Sequence, residues 1–116
     1  MGVLLAALVL LASPHCTITG TAHADVLIGT SGNDVICGLG GDDVIDGGPG
    51  NDILIGGPGN DLIEGSGGRD VLLGGAGNDV LRAWDGQRDV VDGGPGRDRA
   101  WVDKTLDRVS SVERLG

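Results

Sequence analysis

Residues Gly47 to Arg82 read GGPGNDILI, GGPGNDLIE, GSGGRDVLL and GGAGNDVLR when cut into nines, with no residue inserted or skipped. The same frame extends backwards through GTAHADVLI, GTSGNDVIC and GLGGDDVID to Gly20. Glycine holds position one of every line (Gly20, Gly29, Gly38, Gly47, Gly56, Gly65, Gly74), and aspartate holds position six of every line. Position eight is always Leu or Ile: Leu27, Ile36, Ile45, Leu54, Ile63, Leu72, Leu81. Position four is Gly in all but the first line, where His23 stands. Self-similarity at a fixed short period is the mark of a solenoid.

A helix cannot use this pattern. Nine residues make two and a half helical turns, so equivalent side chains would alternate between opposite faces. Interior glycine would also cost about 1 kcal/mol per site. Each line instead divides into a turn and a strand. Positions one to six carry the Gly, Pro, Asn and Asp that tight bends require. Positions seven to nine carry β-formers such as Ile53-Leu54-Ile55. Position seven is apolar as well (Val26, Val35, Val44, Ile53, Leu62, Val71, Val80), although strand alternation turns it away from position eight. Strand propensity accounts for that; the alternative is an outer face that pairs with another molecule.

Composition agrees. Glycine supplies 24 of 116 residues, Tyr and Phe are absent, and Trp84 and Trp101 are the only aromatics, so the core must be built from thin aliphatic layers. A hydrophobic content of 40% argues against disorder. The formal net charge is −9, and no Lys or Arg occurs from Asp25 to Gly68. Such a surface repels nucleic-acid phosphates and anionic membranes, and its natural counter-ion is a cation.

The lines resemble the RTX nonapeptide GGxGxDxUx, a signature of calcium-binding rolls. The resemblance is close from Gly20 to Arg82 and continues in degraded form to Trp101. It implies an all-β fold, a right-handed parallel β-roll in which alternate repeats stack. It also implies that Asp34, Asp43, Asp52, Asp61, Asp70 and Asp79 coordinate several Ca2+ ions, with backbone carbonyls of the glycine turns completing each shell. Asp25 matches the motif too, but its turn lacks the position-four glycine.

The chemistry suits those residue types. Calcium takes six to eight hard oxygen ligands, and aspartate is short enough to fold back onto its own turn. Aspartates stacked at about 4.8 Å repel one another by about 3.5 kcal/mol at an effective dielectric of 20, and a cation between them turns that into attraction. The chain is therefore expected to fold on binding Ca2+, as metal-coupled domains do.

After Arg82 the frame slips by one residue, because AWDGQRDVVD separates Asp79 from Asp89 by ten. GGPGRD then restores the motif at Asp98. Asp89 and Asp98 are weaker candidates, since Arg88, Arg97 and Arg99 stand beside them and can take the place of a cation. The roll is expected over 14–101. The segment 102–116 has lost the glycine rhythm and reads as a cap, with Trp101, Val102, Leu106, Val109 and Val112 available to cover the open end.

The apolar run from Val3 to Ala12 is too short to span a bilayer and fits the core of a secretory signal peptide, although no Lys or Arg precedes it. Residues 1–13 are assigned to that signal, with cleavage after Ala24 as the alternative. Export is compatible with a Cys16–Cys37 disulfide stapling the start of the roll; the alternative is that Cys16 leaves with the signal and Cys37 stays single.

Catalytic motifs are missing: there is no HExxH and no G-x-S-x-G, and His15 and His23 both lie at the N-terminal edge. The reading is a secreted, extracellular, non-enzymatic calcium binder without nucleic-acid partners or membrane insertion of the mature chain. A cell-envelope or self-association partner is left open. The alternative is a fragment or relative of the export and folding roll carried by large secreted toxins, proteases and lipases.

Overall fold

Each nonapeptide becomes one turn and one three-residue strand. The computed structural model describes residues 15–103 and 106–115; the expected signal peptide of residues 1–13 lies outside them. The strands are β1 (Ile18–Thr19), β2 (Val26–Ile28), β3 (Val35–Cys37), β4 (Val44–Asp46), β5 (Ile53–Ile55), β6 (Leu62–Glu64), β7 (Val71–Leu73), β8 (Val80–Arg82), β9 (Val90–Asp92), β10 (Arg99–Trp101), β11 (Arg108–Ser110) and β12 (Arg114–Leu115). Successive strands alternate between two sheets, ordered β1-β3-β5-β7-β9-β11 and β2-β4-β6-β8-β10-β12. All pairings are parallel. The chain is a parallel β-roll, as the repeats predict.

Strand alternation sorts the three residues. Position eight points between the sheets, where Ile36, Leu54, Leu72 and Val91 of one sheet meet Ile45, Ile63, Leu81 and Ala100 of the other in one core of fully buried side chains. Burying each Leu or Ile contributes about 2 kcal/mol. Position seven points outward: Val26 and Val44 are exposed and the later ones half-buried. Among the described residues no helix is long and apolar enough to cross a membrane.

Register is set by stacking at a spacing of two repeats. Ile36 pairs with Leu54 and Ile45 with Ile63, eighteen residues apart. The extra residue after Arg82 widens this to nineteen, with Leu72 opposite Val91 and Leu81 opposite Ala100. The insertion is thus absorbed in the turn and leaves the ladder intact.

The segment read as a cap contributes strands. β11 pairs with β9 and β12 with β10, each ending one sheet, and Val109 and Val112 pack against the core. Val102 is buried as expected, whereas Leu106 is exposed. Trp101 does not cover the end: Ala100 takes the inward position of β10, so the indole faces out, with the guanidinium groups of Arg82 and Arg99 at 5.8 and 5.5 Å from its ring centre. At the other end Cys16 and Cys37 form a disulfide with Cα atoms 5.8 Å apart.

Candidate functional site: two aspartate ladders

The turns carry the position-six aspartates along the two edges of the roll. One edge stacks Asp34, Asp52, Asp70 and Asp89, the other Asp25, Asp43, Asp61, Asp79 and Asp98. All but the partly buried Asp25 are inside the protein. Each carboxylate reaches along the stack: the Asp34 N–H donates to Asp52 Oδ1 at 2.8 Å, Asp52 to Asp70 at 2.8 Å, and Asp70 to Asp89 at 2.7 Å. The other edge repeats this, Asp43 donating to Asp61 at 2.8 Å and Asp61 to Asp79 at 2.9 Å.

One oxygen of each carboxylate is thereby satisfied, and the second is not. Oδ2 of Asp43, Asp52, Asp61, Asp70, Asp79, Asp89 and Asp98 is buried without a hydrogen-bond partner. A buried, unpaired carboxylate oxygen is costly and demands a proton or a cation. Burial first, and then the neighbouring aspartates, push Asp52 and Asp61 up to about 6 and Asp70, Asp79 and Asp89 up to about 7; Asp43 and Asp98 are raised for the same primary reason.

The position-one glycines form the floor of these sites. A Cβ on Gly47 would stand 2.7 Å from Asp52 Oδ2 and 3.0 Å from the carbonyl oxygen of Gly65. Carboxylate and carbonyl therefore converge where a side chain would be. Carboxylates and carbonyls in a glycine cradle are the hard oxygen donors that calcium takes. The buried, unpartnered oxygens show that this donor set fits a cation.

Asp25 and Asp34 differ from the rest. The Thr30 N–H donates to Asp34 Oδ2 at 2.7 Å and its hydroxyl to Oδ1 at 3.0 Å; Thr21 does the same for Asp25 at 2.6 and 3.0 Å. Their carboxylates are satisfied within the turn. Among the described residues neither Asp89 nor Asp98, the weaker candidates, forms an ion pair with Arg88, Arg97 or Arg99; the ion pair formed is Arg82–Glu64, at 3.7 Å.

Sequence reasoning missed three groups of residues. Asp107 and Glu113 extend the ladders, accepting from the N–H of Asp89 and Asp98, both at 2.9 Å. The spacing Asp107-Arg108-Val109 preserves positions six to eight without any glycine, and that signal was available. A second, outer ladder runs through position five, where the Asn51 N–H donates to Asn33 Oδ1 and that of Asn78 to Asn60, both at 2.8 Å. Asp85, in the lengthened turn, also has a buried Oδ2 without a partner.

A family model of the RTX calcium-binding nonapeptide repeat, four copies long, matches residues 19–54, 46–81 and 55–88, together more than half of the chain. No curated protein matches the chain. With the repeat frame, the parallel roll and the oxygen-lined turns, this match establishes that the chain belongs to the RTX calcium-binding nonapeptide repeat family.

Proposed function

We propose that the chain is a secreted, non-enzymatic calcium-binding module whose roll forms as Ca2+ binds its two edges. The observation that carries this is the row of buried, unpartnered Oδ2 atoms at Asp43, Asp52, Asp61, Asp70, Asp79, Asp89 and Asp98. These residues are the proposed ligands, with carbonyls of the stacked glycine turns. Bound there, Ca2+ supplies positive charge that cancels repulsion between stacked carboxylates. The chain's contribution is to hold each carboxylate by one oxygen, point the other into the turn, and keep water and Cβ atoms out.

Asp25 and Asp34 match the motif, but their threonine partners support a structural role in place of coordination. Secretion is supported by the apolar run Val3 to Ala12 and by the Cys16–Cys37 disulfide, a bond suited to an oxidising compartment. We assign residues 1–13 to the signal peptide and 102–116 to the segment that closes the roll.

Circular dichroism of the mature chain in EGTA and then in millimolar CaCl2, with calorimetry of the same titration, tests the central claim. Strand signal is expected to appear with calcium, accompanied by heat of binding. A spectrum indifferent to calcium and a titration without heat would overturn it. Mass spectrometry of the mature N terminus reports both cleavage and retention of Cys16.

A further inference from the structure

The turn between β8 and β9 is one residue longer than the other turns from β1 to β10 and lacks the position-one glycine, carrying Ala83 there. At Gly47, Gly56 and Gly74 a Cβ would meet the carbonyl oxygen of the glycine stacked on it; at Gly65, stacked on Ala83, the three nearest atoms all belong to Asp70. The carbonyl cradle is therefore altered at this step. In its place comes a side chain: carboxylate oxygens of Asp70, Asp85 and Asp89, one from each, lie within 4.8 Å of one another. Two oxygens bound to one calcium at 2.3–2.6 Å cannot be more than about 5 Å apart, so the three suit a single ion.

Each of the three carboxylates is half satisfied. Asp70 Oδ1 accepts from the Asp52 N–H, Asp89 Oδ1 from the Asp70 N–H and Asp85 Oδ1 from the Gln87 N–H, at 2.8, 2.7 and 2.7 Å. Oδ2 of all three is buried and without a partner. Asp70 is 1% exposed and Asp89 fully buried, and although Asp85 is half-buried as a residue its Oδ2 is enclosed with theirs, so this is not a solvated acidic patch. Among the described residues no arginine forms an ion pair with any of them. An Asx turn at Asp85 accounts for its Oδ1 and leaves Oδ2 unexplained. The loop is itself held from behind, since the N–H groups of Asp85 and Gly86 donate to Asp103 Oδ2 at 3.1 and 2.8 Å.

We propose that Asp85 joins Asp70 and Asp89 in a three-carboxylate cation site, distinct in donor set from the glycine turns and the tightest calcium site of the chain. It rests on the calcium reading above and adds a ligand outside the nonapeptide motif. Affinity of oxygen sites rises with the number of charged ligands, and three carboxylates favour ions of high charge density.

Trp84, next to Asp85, provides a local reporter, because Tb3+ bound beside an indole emits when the indole is excited. Tb3+ titrated into the calcium-free chain is expected to give tryptophan-sensitised emission, displaced by Ca2+ at the start of the calcium titration. Asp85→Asn is expected to abolish most of that emission and to weaken the tightest calcium step about tenfold, with the strand spectrum at saturating calcium unchanged. An Asp85→Asn chain that folds and retains wild-type emission and affinity overturns the site while leaving the calcium reading intact. Should that variant not fold, the wild-type titration decides: emission that is absent, or displaced only together with the remaining sites, overturns the proposal. A chain that neither folds with calcium nor binds it removes the underlying reading instead.

Discussion

The first two turns of the roll and the six-residue turns that follow share a length and an aspartate, yet they treat that aspartate in opposite ways. At position two the first turns carry Thr21 and Thr30, whose N–H and hydroxyl groups close on the carboxylate. Later turns carry Leu39, Gly48, Gly57, Ser66, Gly75 and Gly94 there at φ between 64° and 88°, a region a β-branched residue avoids. The N–H groups of Gly48 and Gly94 donate instead to Oδ1 of Asp46 and Asp92, and in all these turns the position-six Oδ2 is left alone. In the six-residue turns, position two thus separates an aspartate braced within its turn from one whose Oδ2 has no partner. The N-terminal brace also carries the disulfide, so the start of the roll is held by the chain itself, whereas the later turns leave buried carboxylate oxygens without a partner.

The largest effect that separates the regions is predicted from pH. The raised carboxylates, from Asp52 and Asp61 at about 6 to Asp70, Asp79 and Asp89 at about 7, bind more protons in the folded chain than in the unfolded one. Stability of the metal-free roll therefore falls as pH rises from about 4 through 7. In EGTA the strand signal should be stronger at pH 5 than at pH 8, and saturating calcium should restore it at pH 8. Equal signals in EGTA at both pH values would show that the orphaned oxygens do not govern folding.

The disulfide comes next. It closes a separation of 21 residues, for which chain entropy gives about 3 kcal/mol. Because this end uses threonine partners, reduction should lower the thermal midpoint in saturating calcium without changing the number of ions bound. A loss of ions on reduction would mean that the first turns bind metal after all.

Paired substitutions then compare like with like. Asp61→Asn should remove an ion from the calorimetric stoichiometry and, in EGTA at pH 8, leave the roll more structured than wild type, since it replaces a buried unpaired charge by a neutral amide. Asp34→Asn should leave the ion count unchanged and cost about 1.5 kcal/mol through weaker hydrogen bonds from Thr30. Opposite signs in the metal-free state are the discriminating result.

Much of this was legible in the residues. The period of nine, the aliphatic position eight and the aspartate at position six follow from strand alternation and turn chemistry, and they placed Ile36 to Leu81 in the core and Asp43 to Asp79 along the edges. What was not legible depends on where a backbone N–H points. Thr21 and Thr30 were plain in the sequence, but only the turn conformation shows that they saturate Asp25 and Asp34. Asp85 meets Asp70 and Asp89 because of how a lengthened loop closes, and no spacing rule covers that. Trp101 was expected over the open end because it is large and apolar; Ala100 holds the inward position instead, and alternation sends the indole outward.

The smallest predicted effect is the most direct test of the position-two rule. Thr30→Ala removes the hydroxyl that donates to Asp34 and accepts from the Gly32 N–H, while keeping the backbone donor; it should cost about 1 kcal/mol and leave the ion count alone. Thr30→Gly goes further, because glycine can adopt the positive φ of Gly48 and Gly57 and swing its N–H off the carboxylate. Asp34 Oδ2 would then be orphaned like its neighbours, and the altered turn should bind one more calcium ion than wild type while losing stability in EGTA. If calorimetry returns the wild-type stoichiometry for Thr30→Gly, position two does not set the boundary between brace and ligand. That boundary would then lie in the exposed N-terminal edge of the roll, where β1 and β2 each have a strand on one side only.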